Sequence, residues 1–193
     1  MYHTLRLCFI FNGGGRAEYL RKHQVFASMG KSCDYMPRKV PLYPNLIKIG
    51  NHVNISTNVS FVTHDVIHMI VNSDALQTTK KAIRNYKFRE AIGCIEVGNH
   101  VFISTGCIIL YDVKIGDNVI ITAGSVVTKD IPSNSVVRGN PAKVVCSFQD
   151  FLLMKASNDH YPKDTNHKMG DNIDKNLYDW LWKDFITSRN LNE

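Results

Sequence analysis

The sequence predicts a β-solenoid, a coil of short parallel strands, and three observations carry that expectation. Val97, Ile103, Ile109, Ile115, Ile121 and Val127 recur at intervals of six without a miss, and Ile49, Ile55 and Phe61 hold the same phase upstream. A second set, Val53, Val59, Val101, Cys107, Val113, Val119 and Ser125, follows the first at a constant offset of four. Directly after the aliphatic position stands a small residue (Gly50, Ser56, Gly98, Ser104, Gly116, Thr122) of the kind tight corners favour. A period of six is neither the 3.6 of a helix nor the 2 of a plain strand. It marks short segments that each end in a corner, with an inward residue at every repeat. Spacing alone gives the coil no hand.

The elements follow in chain order. Residues 1–28 read as a helical lead-in: Asn12-Gly-Gly-Gly15 breaks the chain as a linker, and Arg16 to Phe26 carries a helix-compatible pattern through Ala17, Leu20 and Val25. The glycine triplet lacks the Gly-Lys-Ser/Thr ending of a phosphate loop. The coil occupies 29–145, opening on an imperfect rung at Met29 to Asp34. Its repeats stop at Thr63 and resume at about Ile95, so residues 65–93 form an extruded loop, with Lys80, Lys81, Arg84, Lys87 and Arg89 against Asp65, Asp74 and Glu90. Structureless segments this long in compact folds are usually functional or disordered, and the position of this one favours function. After Val127 the coil closes through Lys129-Asp-Ile-Pro132. Residues 146–193 form a helical extension whose Leu177, Trp180, Leu181 and Phe185 share one face, expected to pack against the coil.

Composition narrows the function classes. With 193 residues, 44% hydrophobic and 21% charged, the chain fits one globular domain with an appendage. A net charge of +6 permits an anionic ligand. No Lys/Arg run is interleaved with aromatics, which argues against nucleic acid. The five cysteines are odd in number, scattered and without a CxxC pair, so a reducing cytoplasm is expected and Cys33 and Cys107 read as inward core residues. The apolar run Leu5 to Phe11 is too short to span a bilayer and carries no cleavage site, so neither export nor an integral membrane segment is expected.

The repeats Ile49-Gly-Asn-His-Val-Asn, Ile55-Ser-Thr-Asn-Val-Ser, Val97-Gly-Asn-His-Val-Phe, Ile115-Gly-Asp-Asn-Val-Ile and Ile121-Thr-Ala-Gly-Ser-Val resemble those of the hexapeptide-repeat acyltransferases. The resemblance covers roughly Leu46 to Val145. It implies a left-handed parallel β-helix with three hexapeptides per coil, a homotrimer, and acetyl-coenzyme A as acyl donor without a metal. The closing stretch Ile121 to Pro132, with Gly139-Asn-Pro141-Ala-Lys143, is similar to the galactoside, maltose and serine acetyltransferases. Arg16-Ala-Glu-Tyr-Leu-Arg-Lys and Pro44-Asn-Leu-Ile-Lys-Ile-Gly50 also resemble capsule and surface-polysaccharide O-acetyltransferases.

By that resemblance His64, the histidine before the long loop, is the general base that takes a proton from the acceptor as it attacks the thioester, a role suited to imidazole. His52, His64 and His100 all hold the fourth place of a hexapeptide, expected at an outward corner, but only His64 meets the extruded loop. A backbone carbonyl is expected to fix its tautomer, and backbone amides near the loop to stabilise the oxyanion. Thr105, Ala123, Thr128 and Lys129 match coenzyme A contacts, and Lys143 matches a basic position near its phosphates. The relatives' corner Trp is Phe102 here, and a second basic residue after Lys143 is replaced by Cys146. His64-Asp-Val-Ile-His68 imitates the helical zinc motif H-E-x-x-H, but a rung position is not helical and no third ligand is evident, so no metal is expected. The reading is an acetyl-coenzyme A dependent O-acetyltransferase acting on a carbohydrate hydroxyl of a bacterial surface or capsular polysaccharide precursor. Two alternatives stand beside it: acetylation of a streptogramin- or chloramphenicol-type drug or of an amino sugar, and a non-catalytic solenoid assembly protein.

Overall fold

The computed structural model describes residues 2–73, 86–157, 162 and 172–190. Three parallel sheets share the inward positions in turn. The first face carries β1 (Ser28–Met29), β3 (Ile47–Ile49), β8 (Ile95–Val97) and β11 (Val113–Ile115). The second carries β2 (Asp34–Tyr35), β4 (Asn54–Ile55), β9 (Val101–Ile103), β12 (Val119–Ile121) and β14 (Ser135–Arg138), closed by the antiparallel β15 (Lys143–Ser147). The third carries β5 (Ser60–Val62), β10 (Ile108–Leu110) and β13 (Val126–Val127). The chain visits the three faces in order, coil after coil, as a three-sided parallel β-helix.

The register shows how the sixfold repeat builds this prism. Val113 lies opposite Ile95, Val119 opposite Val101 and Val126 opposite Ile108. One coil therefore takes 18 residues, the separation that also joins Asn99 to Asp117. Ile47 lies opposite Ile95, and Asn51 bonds Asn99 at a separation of 48, because the insertion lengthens that one turn. The closing coil is shorter, with 16 residues between Lys114 and its partner Asp130. The phase is thus lost after Val127, and Ile131 takes the inward place, bridged to Ile115. The coil runs on past Val127 into β14.

Both sequence-derived inward sets are buried, with Ile55, Ile103, Ile109, Ile115, Ile121 and Val127 at 0% exposure. Full burial of such a side chain is worth about 1.5–3 kcal/mol, so the column is the main source of stability. Cys33 and Cys107 are buried, and all five cysteines are unpaired. Ser125 is tolerated inside because its Oγ donates to the Thr122 carbonyl (2.7 Å) and accepts from the Gly139 N–H (3.1 Å).

At the corners the expectation about small residues needs correction. Left-handed backbone falls at the fourth place, at His52 (φ 55°), Asn58 (59°), His100 (55°), Asp112 (56°) and Asn118 (54°). Gly50, Gly98 and Gly116, at the second place, are not among the positive-φ residues. They are small because successive coils approach there: a Cβ on Gly50 would stand 2.4 Å from the Gly98 carbonyl oxygen, and one on Gly98 2.7 Å from that of Gly116. Side-chain ladders follow the same edge, with Asn51 Nδ2 donating to Asn99 Oδ1 (3.1 Å) and Asn99 Nδ2 to Asp117 Oδ1 (3.0 Å). His52 stacks on His100 at 4.8 Å.

Two helices, α1 (Tyr2–Cys8) and α2 (Gly13–Lys22), precede the coil. The glycine triplet is not a linker. Asn12 caps α2, its side-chain oxygen accepting from the Gly15 N–H, and the glycines form the first turn. A Cβ on Gly13 would meet Met36 Sδ at 2.7 Å, so close helix-to-coil packing is the reason for a glycine there. Arg16 is buried at 1% exposure, with Nε donating to the Tyr35 carbonyl (2.8 Å). After β15 come α4 (Phe148–Ser157) and α5 (Lys175–Asn190). Two compact units divide at Leu152/Leu153, so Cys146 and the start of α4 belong with the coil rather than with the extension. In α5 Leu177 is buried, while Trp182 and Phe185 meet edge to face at 5.5 Å.

Candidate functional site

His64 does not make the corner that its place in the hexapeptide predicts. His52 and His100 have left-handed backbone there, but His64 lies in β6 (His64–Asp65), which pairs antiparallel with β7 (Ala91–Ile92), His64 opposite Ile92. The loop thus begins at the histidine itself. The preceding residue anchors it: Thr63, 1% exposed, donates its hydroxyl to the Leu42 carbonyl at 2.6 Å. This brings the next residue, Tyr43, edge-on against the His64 ring at 5.5 Å. The Tyr43 phenol donates to both Glu90 oxygens at 3.3 Å, and the neighbouring carboxylate pushes the phenol pKa up. His64 Nδ1 is shut off from solvent without a hydrogen-bond partner. With Nδ1 enclosed, Nε2 is the nitrogen left for a reacting group, and among the described residues no backbone carbonyl bonds Nδ1 to hold the tautomer as expected.

Asp65 turns away from the imidazole. It accepts from the Tyr111 hydroxyl (2.6 Å) and the Ile67 N–H (3.1 Å), the second bond an Asx turn that leads into the short α3 (Ile67–Val71). The Tyr111 bond above all, then the Ile67 amide and more weakly His68 and His64, holds the Asp65 carboxyl below its ordinary range. Asn72 closes the base of the loop, donating to the Phe88 carbonyl (2.8 Å) and accepting from its N–H (3.0 Å). Asp74, Lys80, Lys81 and Arg84 lie outside the described residues. Among the described residues no cluster of His, Cys, Asp or Glu could hold a metal ion, and His68 lies in α3 while His64 lies in a strand.

The expected cofactor residues are all exposed, but they divide between two corners of the prism. Thr105 and Ala123 occupy the corner between the second and third faces, where Thr105 Oγ1 lies 3.4 Å from Thr57 Oγ1 and the Thr105 carbonyl accepts from the Gly124 N–H. Gly139 and Ala142 continue this corner by bonding the backbone of Val126, and Lys143 follows at the start of β15. Thr128 and Lys129 instead follow β13 at the corner between the third and first faces, the corner of Tyr43, His64 and Tyr111. Nothing in the sequence singled out Tyr43 or Glu90. Tyr111 had a signal: the 48-residue separation across the loop carries Thr63 onto it and His64 onto Asp112.

Residues 95–129 match the model of the bacterial transferase hexapeptide (six repeats). Protein CapG of Staphylococcus aureus is 42% identical over 124 residues, which is 64% of this chain and 66% of CapG. Residues 95–129 thus carry the hexapeptide repeat of the bacterial transferases. The chain spans just under two thirds of the length of CapG. A galactoside acetyltransferase in complex with coenzyme A matches with a TM-score of 0.50 and 26% identity over 88% of each chain. A hexapeptide-repeat acetyltransferase from Vibrio cholerae, complexed with acetyl-coenzyme A, shares the fold at a TM-score of 0.53 and 21% identity, over 76% of this chain and 84% of that one.

Proposed function

We propose that this protein is an acetyl-coenzyme A dependent O-acetyltransferase of the left-handed β-helix type, acting on a sugar hydroxyl of a surface or capsular polysaccharide precursor, with His64 as general base. The match to the bacterial transferase hexapeptide over residues 95–129 and the likeness to a galactoside acetyltransferase solved with coenzyme A support the acyl donor and the sugar acceptor. The resemblance of the lead-in to polysaccharide O-acetyltransferases supports the precursor. Five unpaired cysteines fit a cytoplasmic location, and among the described residues no helix is long and apolar enough to cross a membrane. In the reaction His64 Nε2 takes the proton of the acceptor hydroxyl as its oxygen attacks the thioester carbonyl. Backbone amides near the loop face the developing oxyanion, and the thiolate of coenzyme A leaves.

The observation that carries the reading is the division between corners. His64, Thr128 and Lys129 occupy one corner, Thr105 and Ala123 another, and a single coil cannot bring the two together. Two copies side by side can, the third-to-first corner of one against the second-to-third corner of the next, and three copies close the ring. The homotrimer is therefore part of the proposed mechanism, with Thr105, Ala123 and Lys143 of one copy serving His64 of its neighbour.

Mixed trimers test this. His64→Ala and Ala123→Phe subunits, each inactive or impaired alone, are refolded together and assayed for acetyl-coenzyme A consumption. Sites built from two copies should recover about one quarter of wild-type activity by random assortment. No recovery, from a mixture shown to contain hybrid trimers, would assign the site to single chains and refute the arrangement.

A further inference from the structure

Upstream of Thr105 and Ala123, the same corner opens into a cavity of about 350 Å³ lined by Met36, Pro37, Arg38, Lys39 and Thr57 to Ser60. Its lining contains two cations and no carboxylate. Arg38 and Lys39 are exposed; Arg38 Nη1 donates to the Cys8 carbonyl at 3.2 Å, and among the described residues neither side chain has an ion pair. Behind Met36 lies a third cation, Arg16, held by the Tyr35 and Ile10 carbonyls and the Met36 sulfur rather than by a carboxylate. Burial and then the Arg38 charge make its protonated form less favourable than usual. The Asp34 carboxylate sits beside Gly13 and pairs with none of the three. A buried guanidinium without a counter-charge is costly. Its retention next to a basic cavity means that an anion entering the cavity meets a field already built for it.

The position of the cavity matters as much as its charge. Under the proposed function, on which this inference rests, the coenzyme A phosphates lie toward Lys143, so the acetyl end points back along Ala123 and Thr105 toward Thr57. Thr57 lies on the coil that ends in His64, and it lines the cavity. The space beyond the acetyl group, level with the base, is therefore this basic cavity. We propose that the cavity takes an oxyanion, carboxylate or phosphate, carried by the acceptor, so that the enzyme selects acidic or phosphorylated sugars over neutral ones. Arg38 offers a planar fork suited to either oxyanion and Lys39 a mobile point charge, while the Asn58 amide at the corner is available to a sugar hydroxyl.

The protein and its Arg38→Gln/Lys39→Gln variant are compared on p-nitrophenyl galactoside, p-nitrophenyl glucuronide and galactose 1-phosphate, with acetyl-coenzyme A as donor. In the wild type, kcat/KM for one of the charged acceptors should exceed that for the neutral galactoside by about tenfold or more, and the variant should erase that preference. The favoured charged acceptor tells carboxylate from phosphate. A preference that survives the substitutions, a wild type that favours the neutral acceptor, or a loss that falls on the KM of acetyl-coenzyme A overturns the assignment. Should no acceptor release coenzyme A, the transfer reading itself fails. Calorimetric titration with galactose 1-phosphate and glucuronate then decides the cavity alone: binding weakened about tenfold in the variant sustains it, and no binding to the wild type ends it.

Discussion

Replacing Gly50 with alanine tests the stacking of the coils directly. The Gly50 backbone is not left-handed, so the substitution carries no φ penalty, but the new Cβ would stand 2.4 Å from the Gly98 carbonyl oxygen and 2.7 Å from its carbon. Ordinary contact begins near 3.4 Å, so the two coils must part by about 1 Å at this edge. The bonds that hold them there are Gly50 N–H to the Val97 carbonyl (2.8 Å) and His100 N–H to the Asn51 carbonyl (2.9 Å). Weakening two such bonds should cost about 2 kcal/mol, which for a chain of this size lowers Tm by about 4–8 °C. Gly106 is the control, because it has φ +73° and nothing within 4 Å of a built Cβ. There alanine meets only the left-handed penalty of about 1 kcal/mol, or about 2–4 °C. Thermal unfolding by circular dichroism at one protein concentration compares the two variants. If Gly50→Ala costs no more than Gly106→Ala, the coils that carry Gly50 and Gly98 do not approach at these glycines and the register is wrong.

Three further outcomes bear on the site. His64→Ala should lower kcat by about 10²–10⁴-fold with Tm unchanged, and activity within a few-fold of wild type would remove its role as base; His52→Ala and His100→Ala should be near neutral. Ala123→Phe should raise the KM for acetyl-coenzyme A with little change in Tm, since Ala123 is exposed, whereas unfolding would place the residue inside. Asp65 has a lowered folded pKa, so its contribution to stability is present above the unfolded carboxylate value of about 3.9 and is lost as pH falls through the lower folded value. Tyr111→Phe removes the largest cause and should move the Asp65 titration, followed by carboxyl NMR, upward; an unmoved titration would mean that the phenol bond is not the main influence.

The prism was legible in the sequence because one inward residue per six leaves a period that no helix or flat sheet produces, and Ile103, Ile109, Ile115 and Ile121 carry it without interruption. Where the period bends, reasoning from it fails for physical reasons. The glycines at the second place look like turn residues, yet the turn is made two residues later by His52, His100 and Asn118, and the glycines answer to the coil above or below. Asn12 with three glycines looks like a break because glycine is a poor helix former, but a capped first turn packed against Met36 outweighs that propensity. Tyr43 and Glu90 left no signal, since Tyr43 meets His64, and Glu90 meets Tyr43, through contacts between segments that spacing does not encode.

The structural difference between His64 and the other fourth-place residues also says how a repeat position gains chemistry. On the next coil the equivalent residue, Asp112, takes the left-handed corner (φ 56°) and the chain moves straight on to β11. At His64 the chain instead leaves the coil as an antiparallel ribbon that returns at Ile92, and Gly93 rejoins by bonding the Thr63 carbonyl at 3.0 Å. Leaving the corner keeps the imidazole from the exposed place that His52 and His100 take at their own corner, and sets it against Tyr43 with one nitrogen enclosed. A corner histidine is repeated on the coils and does no chemistry by virtue of its place. Under the proposed role of His64, the insertion, by breaking the corner, supplies the oriented and half-desolvated ring that a general base requires, so the break in the repeat is a better pointer than any histidine count.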